Sequence, residues 1–265
     1  MQRLERQRAL IDLVERQGDL TLEEACRSFG ISPATARRDF VEIAQRGAAA
    51  KTWGGLCRNP APTNGGDMVP SDLRETLQVA QKERIASAAA TLIKDGDVLV
   101  IDGGTTTLCL ASHLANRRVR ILTNSLLIAH RIDRLRTAPG GAEVFLTGGF
   151  LYPGSGLLVG PQAVENIAGY HARLAFISVG GLDEHGSTNT NQLVVESERA
   201  MIRAAERTVV LADSTKWNRR DMVRACDWKE ISVLVTDVSP VSVGGPDLTG
   251  RVEVLVAANA AKRNG

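Results

Sequence analysis

Residues 102–107 read Asp-Gly-Gly-Thr-Thr-Thr and follow directly on the apolar run Val98-Leu99-Val100-Ile101. Two glycines and three threonines at the mouth of a strand offer backbone N–H groups and hydroxyls, the groups with which a loop entering a helix holds a small anion. Four further apolar runs end in small or polar residues: Asn124-Ser125, Gly148-Gly149, Gly180-Gly181, and Asp213 with Ser214, Thr215 and Lys216. In a parallel sheet all such ends share one edge, where ligands bind. Asp102, Gly103, Gly104, Thr105, Thr106 and Thr107 are therefore expected to meet Asn124, Ser125, Gly149, Gly181, Asp213 and Lys216 in one pocket. Lys216 adds a positive charge for a phosphate, and Asp102, Asn124 and Asp213 suit hydroxyl groups. A sugar phosphate satisfies both demands.

The loop matches neither the P-loop, which ends in Gly-Lys-Ser/Thr, nor the Gly-x-Gly-x-x-Gly of a dinucleotide site. On its own it also suits a plain strand-to-helix turn in which glycine permits a tight bend and threonine caps. The run Gly181-Leu-Asp-Glu-His-Gly186 places Asp183, Glu184 and His185 together, and reads as a solvated turn. His113, His130 and His171 have no metal-ligand spacing, so neither a metal site nor a cofactor is expected. Trp53, Trp217 and Trp228 form no stripe.

A different chemistry opens the chain. Leu4, Leu10, Ile11 and Val14 form a one-sided apolar stripe that Gly18 ends. The stretch from Thr21 has Glu24 three residues on, a capping box, with Leu22, Ala25 and Phe29 inward and Gly30 as its stop. Ser32 then caps a second helix that has Pro33 at its first position, where a missing N–H costs nothing. Ala36, Phe40 and Ile43 face inward, which leaves Thr35, Arg37 and Arg38 outward. Two helices joined by a tight turn, the second presenting Thr and Arg, fit a helix-turn-helix that binds DNA. Gly54-Gly55 suggest a hairpin turn needing positive φ, hence a wing that brings Lys51 and Arg58 near phosphates. Arg38 and Thr35 are assigned to base edges, Arg37, Lys51 and Arg58 to the backbone, with Ser32 at the helix start beside them.

The elements that position these groups follow from periodicity. Residues 59–72, rich in Pro, Gly and Asn, read as a linker. Beyond it, strands are predicted at 98–102, 120–124, 143–149, 174–181, 208–213, 231–237 and 252–257. Helices are predicted near 80–94, 106–117, 125–136, 160–168 and 192–206. Near-continuous apolar strands alternating with helices imply a mainly parallel α/β sheet. The expected domains are thus 1–58, a winged helix-turn-helix; 59–72, a linker; and 73–265, an α/β domain. With 43% hydrophobic and 23% charged residues among 265, the chain has the material for a sizeable core. Its net charge of +2 means that nucleic-acid contact must come from local placement of Arg and Lys. Residues 1–58 carry ten Lys/Arg against eight Asp/Glu, a basic excess too weak to argue from alone. Four scattered cysteines without a Cys-x-x-Cys pair suit free thiols in a reducing cytoplasm. No secretory segment opens the chain, and no run of roughly 18 apolar residues suggests a membrane span.

With these residues in place, the chain resembles the DeoR family of bacterial transcriptional regulators along nearly its whole length. The segments that carry the resemblance are TLEEACRSFGISPATARRDF, KTWGG, IDGGTTT, LTNSLLIA, LTGGFLYPGSGLLVGP, AFISVGGLDEHGSTNTN, ERAMIRAA and VVLADSTKW. The resemblance implies a winged helix-turn-helix joined to a sensor domain related to ribose-5-phosphate isomerase. It implies a repressor of sugar genes that answers to a phosphorylated sugar, with Asp102, Gly104, Thr105, Thr106, Asn124, Ser125, Gly149 and Lys216 lining the effector pocket. Double-stranded operator DNA and a second copy of the chain, as dimer or tetramer, are the expected partners, with no membrane. Two positions depart from the family pattern. Trp53 stands where histidine is common, and Gly180 stands where many members carry an acidic residue. The alternative is a sugar-phosphate isomerase or deaminase with an accessory N-terminal bundle, for which Asp183, His185 and Asp213 are the only acid–base candidates.

Overall fold

The computed structural model describes residues 3–45, 49–52, 54–57 and 77–257. Trp53, Arg58, the Leu4 side chain and the expected linker 59–72 lie outside the described residues. The described residues fall into two compact units that divide between Gln78 and Val79.

The first unit runs α1 (Arg3–Gln17), β1 (Asp19–Thr21), α2 (Leu22–Phe29), α3 (Pro33–Gln45), β2 (Ala50–Lys51) and β3 (Gly55–Cys57). Its local signals are realised in atoms. The Thr21 hydroxyl accepts from the Glu24 amide at 3.2 Å, while the Glu24 carboxylate accepts from the Thr21 amide at 2.9 Å. Gly30 ends α2 in the left-handed region at φ 61°. Ser32 Oγ accepts from the Thr35 amide at 3.2 Å and so starts α3. Leu10, Val14, Leu20, Ala25, Ala36, Phe40, Ile43 and Leu56 meet in one core, with Leu22 and Phe29 partly buried against it.

The wing differs from expectation in two respects. β1 joins it, giving a three-stranded antiparallel sheet of order β1-β3-β2. Gly55 is not left-handed; it is required because a Cβ there would lie 2.0 Å from the Leu20 carbonyl oxygen. Close approach of strands, not turn conformation, explains this glycine.

The second unit contains α4 (Val79–Ala90), β4 (Val98–Ile101), α5 (Thr105–Leu108), α6 (Leu110–Leu114), β5 (Arg120–Thr123), α7 (Leu126–Leu135), β6 (Glu143–Leu146), β7 (Phe150–Tyr152), β8 (Leu157–Val159), α8 (Pro161–Ala168) and β9 (Ala172–Ser178). It continues through β10 (Gly181–Asp183), β11 (Gly186–Asn189), α9 (Gln192–Arg203), β12 (Ala205–Leu211), β13 (Val223–Asp227), β14 (Val233–Thr236) and β15 (Glu253–Val256). All seven expected strands enter one parallel sheet of order β15-β14-β12-β9-β4-β5-β6. Alternate strand residues face opposite layers. Leu99, Ile101, Phe176 and Val209 pack with Ile85 of α4 and Ile128 of α7, while Val100, Ala175, Ile177 and Val210 pack with Ile167 of α8 and Met201 of α9. Helices cover both faces, as a parallel sheet of Val, Ile and Leu demands.

Two antiparallel pieces were not expected: the β7-β8 hairpin and a β10-β11-β13 sheet. The turn at Glu184-His185, read from sequence as merely solvated, is the tip of the β10-β11 hairpin. Asp183 braces it by accepting from the amides of His185 at 2.8 Å and Gly186 at 3.2 Å. Trp217 and Trp228 stack at 5.9 Å between centroids, and Trp228 Nε1 donates to the Asp183 carbonyl at 3.0 Å. The four cysteines are free thiols, and burial pushes Cys226 up to about 12. Among the described residues no helix is long and apolar enough to cross a membrane.

The head of the molecule depends on one buried acid. Asp39, 2% exposed, accepts from Arg6 Nε at 2.6 Å and from Gln7 Nε2 at 3.0 Å, tying α1 to α3. Asp39→Ala strands these donors and is expected to destabilise the first unit by about 1.5–3 kcal/mol. The check is a thermal melt of the full chain followed by circular dichroism, which should show one transition shifted to lower temperature.

Candidate functional site

The parallel register places the strand ends on one edge in the spatial order Asp237, Asp213, Ser178, Asp102, Asn124 and Thr147. From β4 the chain moves outward through β5 and β6, then returns to β9 on the other side of β4. In open α/β sheets ligands bind at such a reversal, outside the carboxyl ends of the strands on either side of it, here β4 and β9.

Asp102 spans the reversal. Its carboxylate, fully buried, accepts from Ser178 Oγ at 2.7 Å on β9 and from Asn124 Nδ2 at 3.3 Å beyond β5. Asn124 Oδ1 in turn accepts from the Gly103 amide at 2.9 Å, and Thr123 Oγ1 donates to the Ile101 carbonyl at 2.7 Å. Three strand ends are thereby joined through side chains. Burial pushes the Asp102 carboxyl above its usual range, and the Ser178 and Asn124 hydrogen bonds offset this only in part.

Both glycines of the loop are required by contact. A Cβ on Gly103 would lie 2.1 Å from Leu157 Cδ2, and one on Gly104 would lie 2.1 Å from Ser178 Oγ. Their amides are not the free donors that the sequence suggested, since Gly103 donates to Asn124 and Gly104 donates to Thr107 Oγ1 at 2.8 Å. The Thr107 hydroxyl returns a bond to the Gly104 carbonyl at 2.9 Å, which closes the loop on itself. Thr106 and Thr107 are buried, and only Thr105 of the three stays partly exposed. The donors that remain to the loop are the Thr105 and Thr106 amides, whose place in the first turn of α5 gives them no helical carbonyl.

The other expected residues lie in the segments that follow β5, β6, β9 and β12. Ser125 caps α7 by accepting from the Ile128 amide at 3.3 Å. Gly149, at φ 107°, lies against the Val159 carbonyl and α8. Asp213 caps a short 3-10 turn, Ser214–Lys216, through the Thr215 amide at 3.0 Å, and that turn holds Lys216 half-buried at the end of β12. Gly181 begins β10, where a Cβ would lie 2.2 Å from the Arg219 carbonyl oxygen.

Three site residues escaped the sequence reading. Ser178 is a polar residue at the end of an apolar strand, the same signal that marked Asp102. Glu198 falls on the apolar stripe of α9 between Val194 and Met201, and a carboxylate on a buried stripe is itself a signal. Glu198 is fully buried and accepts from Asn189 Nδ2 at 2.6 Å; burial and the nearby Asp102 charge push it well above the usual range. Asp221 is the third. A Cβ on Gly180 would lie 2.1 Å from Asp221 Oδ2, so a carboxylate stands where the sequence appeared to lack one.

In the first unit, Arg37 and Arg38 are exposed on α3 beside Ala34 and Val41, opposite the buried Ala36, Phe40 and Ile43. Ser32 Oγ and Thr35 Oγ1 lie 2.9 Å apart at the start of this face, and Lys51 is exposed on β2. An open groove also exists at the opposite, N-terminal edge of the parallel sheet, near Asp97, His171 and Arg173. There Arg173 is held by Asp97 at 2.6 Å and by the Leu92 carbonyl, which leaves a structural ion pair and no strand C-terminus.

Comparisons with known proteins agree over both units. A family model described as a DeoR-like helix-turn-helix domain matches residues 6–60, and one described as the DeoR C terminal sensor domain matches residues 77–238. The HTH-type transcriptional repressor GlcR of Bacillus subtilis (strain 168) is 31% identical over 236 residues, covering 89% of each chain. The glycerol-3-phosphate regulon repressor of Escherichia coli (strain K12) is 29% identical over 242 residues, covering 91% of this chain and 93% of that one. A solved ribose 5-phosphate isomerase from Methanocaldococcus jannaschii aligns at 17% identity and a TM-score of 0.37, covering 51% of this chain and 53% of that one.

Two outcomes follow from the packing and charge of this site. Gly104→Ala drives a methyl into Ser178 and should cost about 1–3 kcal/mol of stability in urea unfolding. The raised carboxyls bind protons more tightly in the folded than in the unfolded chain, so their stabilisation is complete below about pH 4.3 and is lost as pH rises through the folded values. Glu198→Gln keeps an acceptor for Asn189 without the charge, and should flatten the fall in urea midpoint as pH rises above about 4.3.

Proposed function

The chain belongs to the DeoR family, and from that premise we propose that it represses genes of sugar metabolism, binding operator DNA through α3 and releasing it in response to a phosphorylated sugar. In this reading residues 1–58 form the DNA-binding head, 59–72 the linker and 73–265 the sensor, acting in the cytoplasm. The observation that carries it is the face of α3, where Arg37 and Arg38 stand exposed on a helix whose other side is sealed into the core. Arg38 and Thr35 are assigned to base edges; Ser32, Arg37, Lys51 and Arg58 are assigned to the backbone.

The effector is assigned to the ends of β4 and β9. What supports a phosphorylated sugar there is Thr105 with the first-turn amides of α5, and Lys216 on the same edge of the sheet after β12. A relative named for the glycerol-3-phosphate regulon points the same way. For the effector to act, it must bind the DNA-competent and DNA-released states with different affinity. Two heads are needed for half-sites one helical turn apart, so the working form is a homo-oligomer, dimer or tetramer. Phe145 and Leu146 on the edge strand β6, with Phe150 and Leu151 on β7, are exposed apolar residues suited to such pairing.

Of the three acid–base candidates of the enzymatic alternative, Asp183 and Asp213 carry structural duties, and His185 stands exposed at the β10-β11 hairpin tip beside Glu184 at 3.2 Å. Burial raises the Asp183 carboxyl, but the His185 and Gly186 amides and Arg220, at 2.6 Å, more than offset this and hold it below the usual range. Asp213 is engaged in capping Thr215. We therefore assign the chain no turnover.

Fluorescence anisotropy on DNA from upstream of its own gene, with a panel of phosphorylated sugars, tests both halves. Arg38→Ala is expected to weaken operator binding by about 1–3 kcal/mol. Thr105→Ala and Lys216→Ala should blunt the response to the effector. Normal operator binding by Arg38→Ala would show that the reading helix is misassigned.

A further inference from the structure

The paired glycines after β9 are neither turn residues nor hinge residues. Neither Gly180 nor Gly181 is left-handed; both are crowded by one segment, Arg219 to Asp221. The Arg219 carbonyl oxygen takes the place of a Cβ on Gly181, at 2.2 Å, and Asp221 Oδ2 takes the place of one on Gly180, at 2.1 Å. The segment is anchored on both sides. Trp217 pairs with Leu182 as an isolated parallel bridge, and the Asp221 amide donates to Thr188 Oγ1 at 2.9 Å on β11.

The Asp221 carboxylate is thus delivered to the C-terminal end of the central strand β9, two residues beyond the Ser178 that binds Asp102. Its side chain is 1% exposed. Oδ1 accepts from Arg219 Nε at 3.2 Å, whereas Oδ2 has no hydrogen-bond partner. An unmet buried acceptor costs about 1–3 kcal/mol, more when charged, and native proteins rarely leave one without a purpose. Around it, Thr188 Oγ1 accepts from the Asp221 amide, the Gly180 amide donates to the Thr188 carbonyl at 3.0 Å, and Ser178 Oγ donates to Asp102. Among the described residues no group donates to Oδ2, which leaves it open to a donor that binds there.

We propose that Asp221 is a specificity residue of the effector site, its Oδ2 accepting a hydroxyl of the phosphorylated sugar at the end of β9. Gly180 serves as the empty slot that admits a carboxylate from forty-one residues further along the sequence. The assignment deepens the reading given under the proposed function and rests on it. It separates two tasks: Thr105 and Lys216 hold the phosphate, and Asp221 tests for the hydroxyl beside it. A site built to bond a hydroxyl discriminates strongly against a ligand without one.

The test is calorimetry on the full chain with D-glucose 6-phosphate, D-ribose 5-phosphate, sn-glycerol 3-phosphate and inorganic phosphate. The readout is the ratio of the Kd for inorganic phosphate to that for the tightest-binding hydroxylated phosphate. Asp221→Asn, which keeps shape and replaces an acceptor oxygen by a donor, is expected to reduce this ratio by about tenfold or more. Thr105→Ala should weaken binding of every compound and leave the ratio near its original value. A relocated carboxylate provides the second variant, because Asp221→Gly vacates the slot and Gly180→Asp in the same chain fills it from β9 itself. That double variant should recover the ratio to within about threefold. An unchanged ratio in Asp221→Asn overturns the proposal while leaving the effector reading intact. A wild-type chain that binds none of the four compounds overturns both.

Discussion

The sensor unit turns on the hydrogen bond between Asp102 and Ser178. It is the side-chain link between the ends of β4 and β9, the two strands where chain direction across the sheet reverses. A parallel sheet needs no help to pair its strand interiors, but beyond the last ladder bond each strand end is free to splay. Here a buried carboxylate gathers the end of β9 through Ser178 and the end of β5 through Asn124. Gly103 and Gly104 let the backbone come close enough for those bonds to form. The end of β4 is held in place because its acid accepts from the ends of both neighbouring strands.

That arrangement separates the residues that build the proposed effector site from those at its surface. Asp102, Asn124, Thr107 and Asp213 are buried and engaged with neighbouring backbone or side chains, and Thr105 and Lys216 retain exposure. All six share one sequence signature, a polar residue just past an apolar run, so the sequence located the edge without distinguishing floor from rim. Only contacts from distant segments make that distinction.

Much of the architecture was legible because it depends on short-range rules. The Thr21–Glu24 capping box, the Gly30 stop, the Ser32 cap and the seven apolar strands are each decided within a few residues. What sequence reasoning missed was decided by partners remote in the chain. The Leu20 carbonyl explains Gly55, Ser178 explains Gly104, and Asp221 explains Gly180. For Gly55 and Gly104 a turn was the natural local reading, and in all three cases the cause is a neighbour's atom where a Cβ would go. β1 and the β7-β8 hairpin were missed for a related reason: strands of three residues carry too little alternation to register.

The place of β9 between β4 and β12 also bears on how the chain acquires this structure. β4, β5 and β6 are sequential neighbours, as are β12, β14 and β15 within the parallel sheet, so each half can assemble from contacts at modest separation. Asp102 and Ser178 are 76 residues apart, and their junction must close the longest loop of the set. Closing a loop of that length carries an entropy cost that is offset only when the two half-sheets dock. The ends of β4 and β9 thus meet at the seam between two half-sheets, and any molecule that binds only the joined seam adds its binding free energy to the stability of that junction.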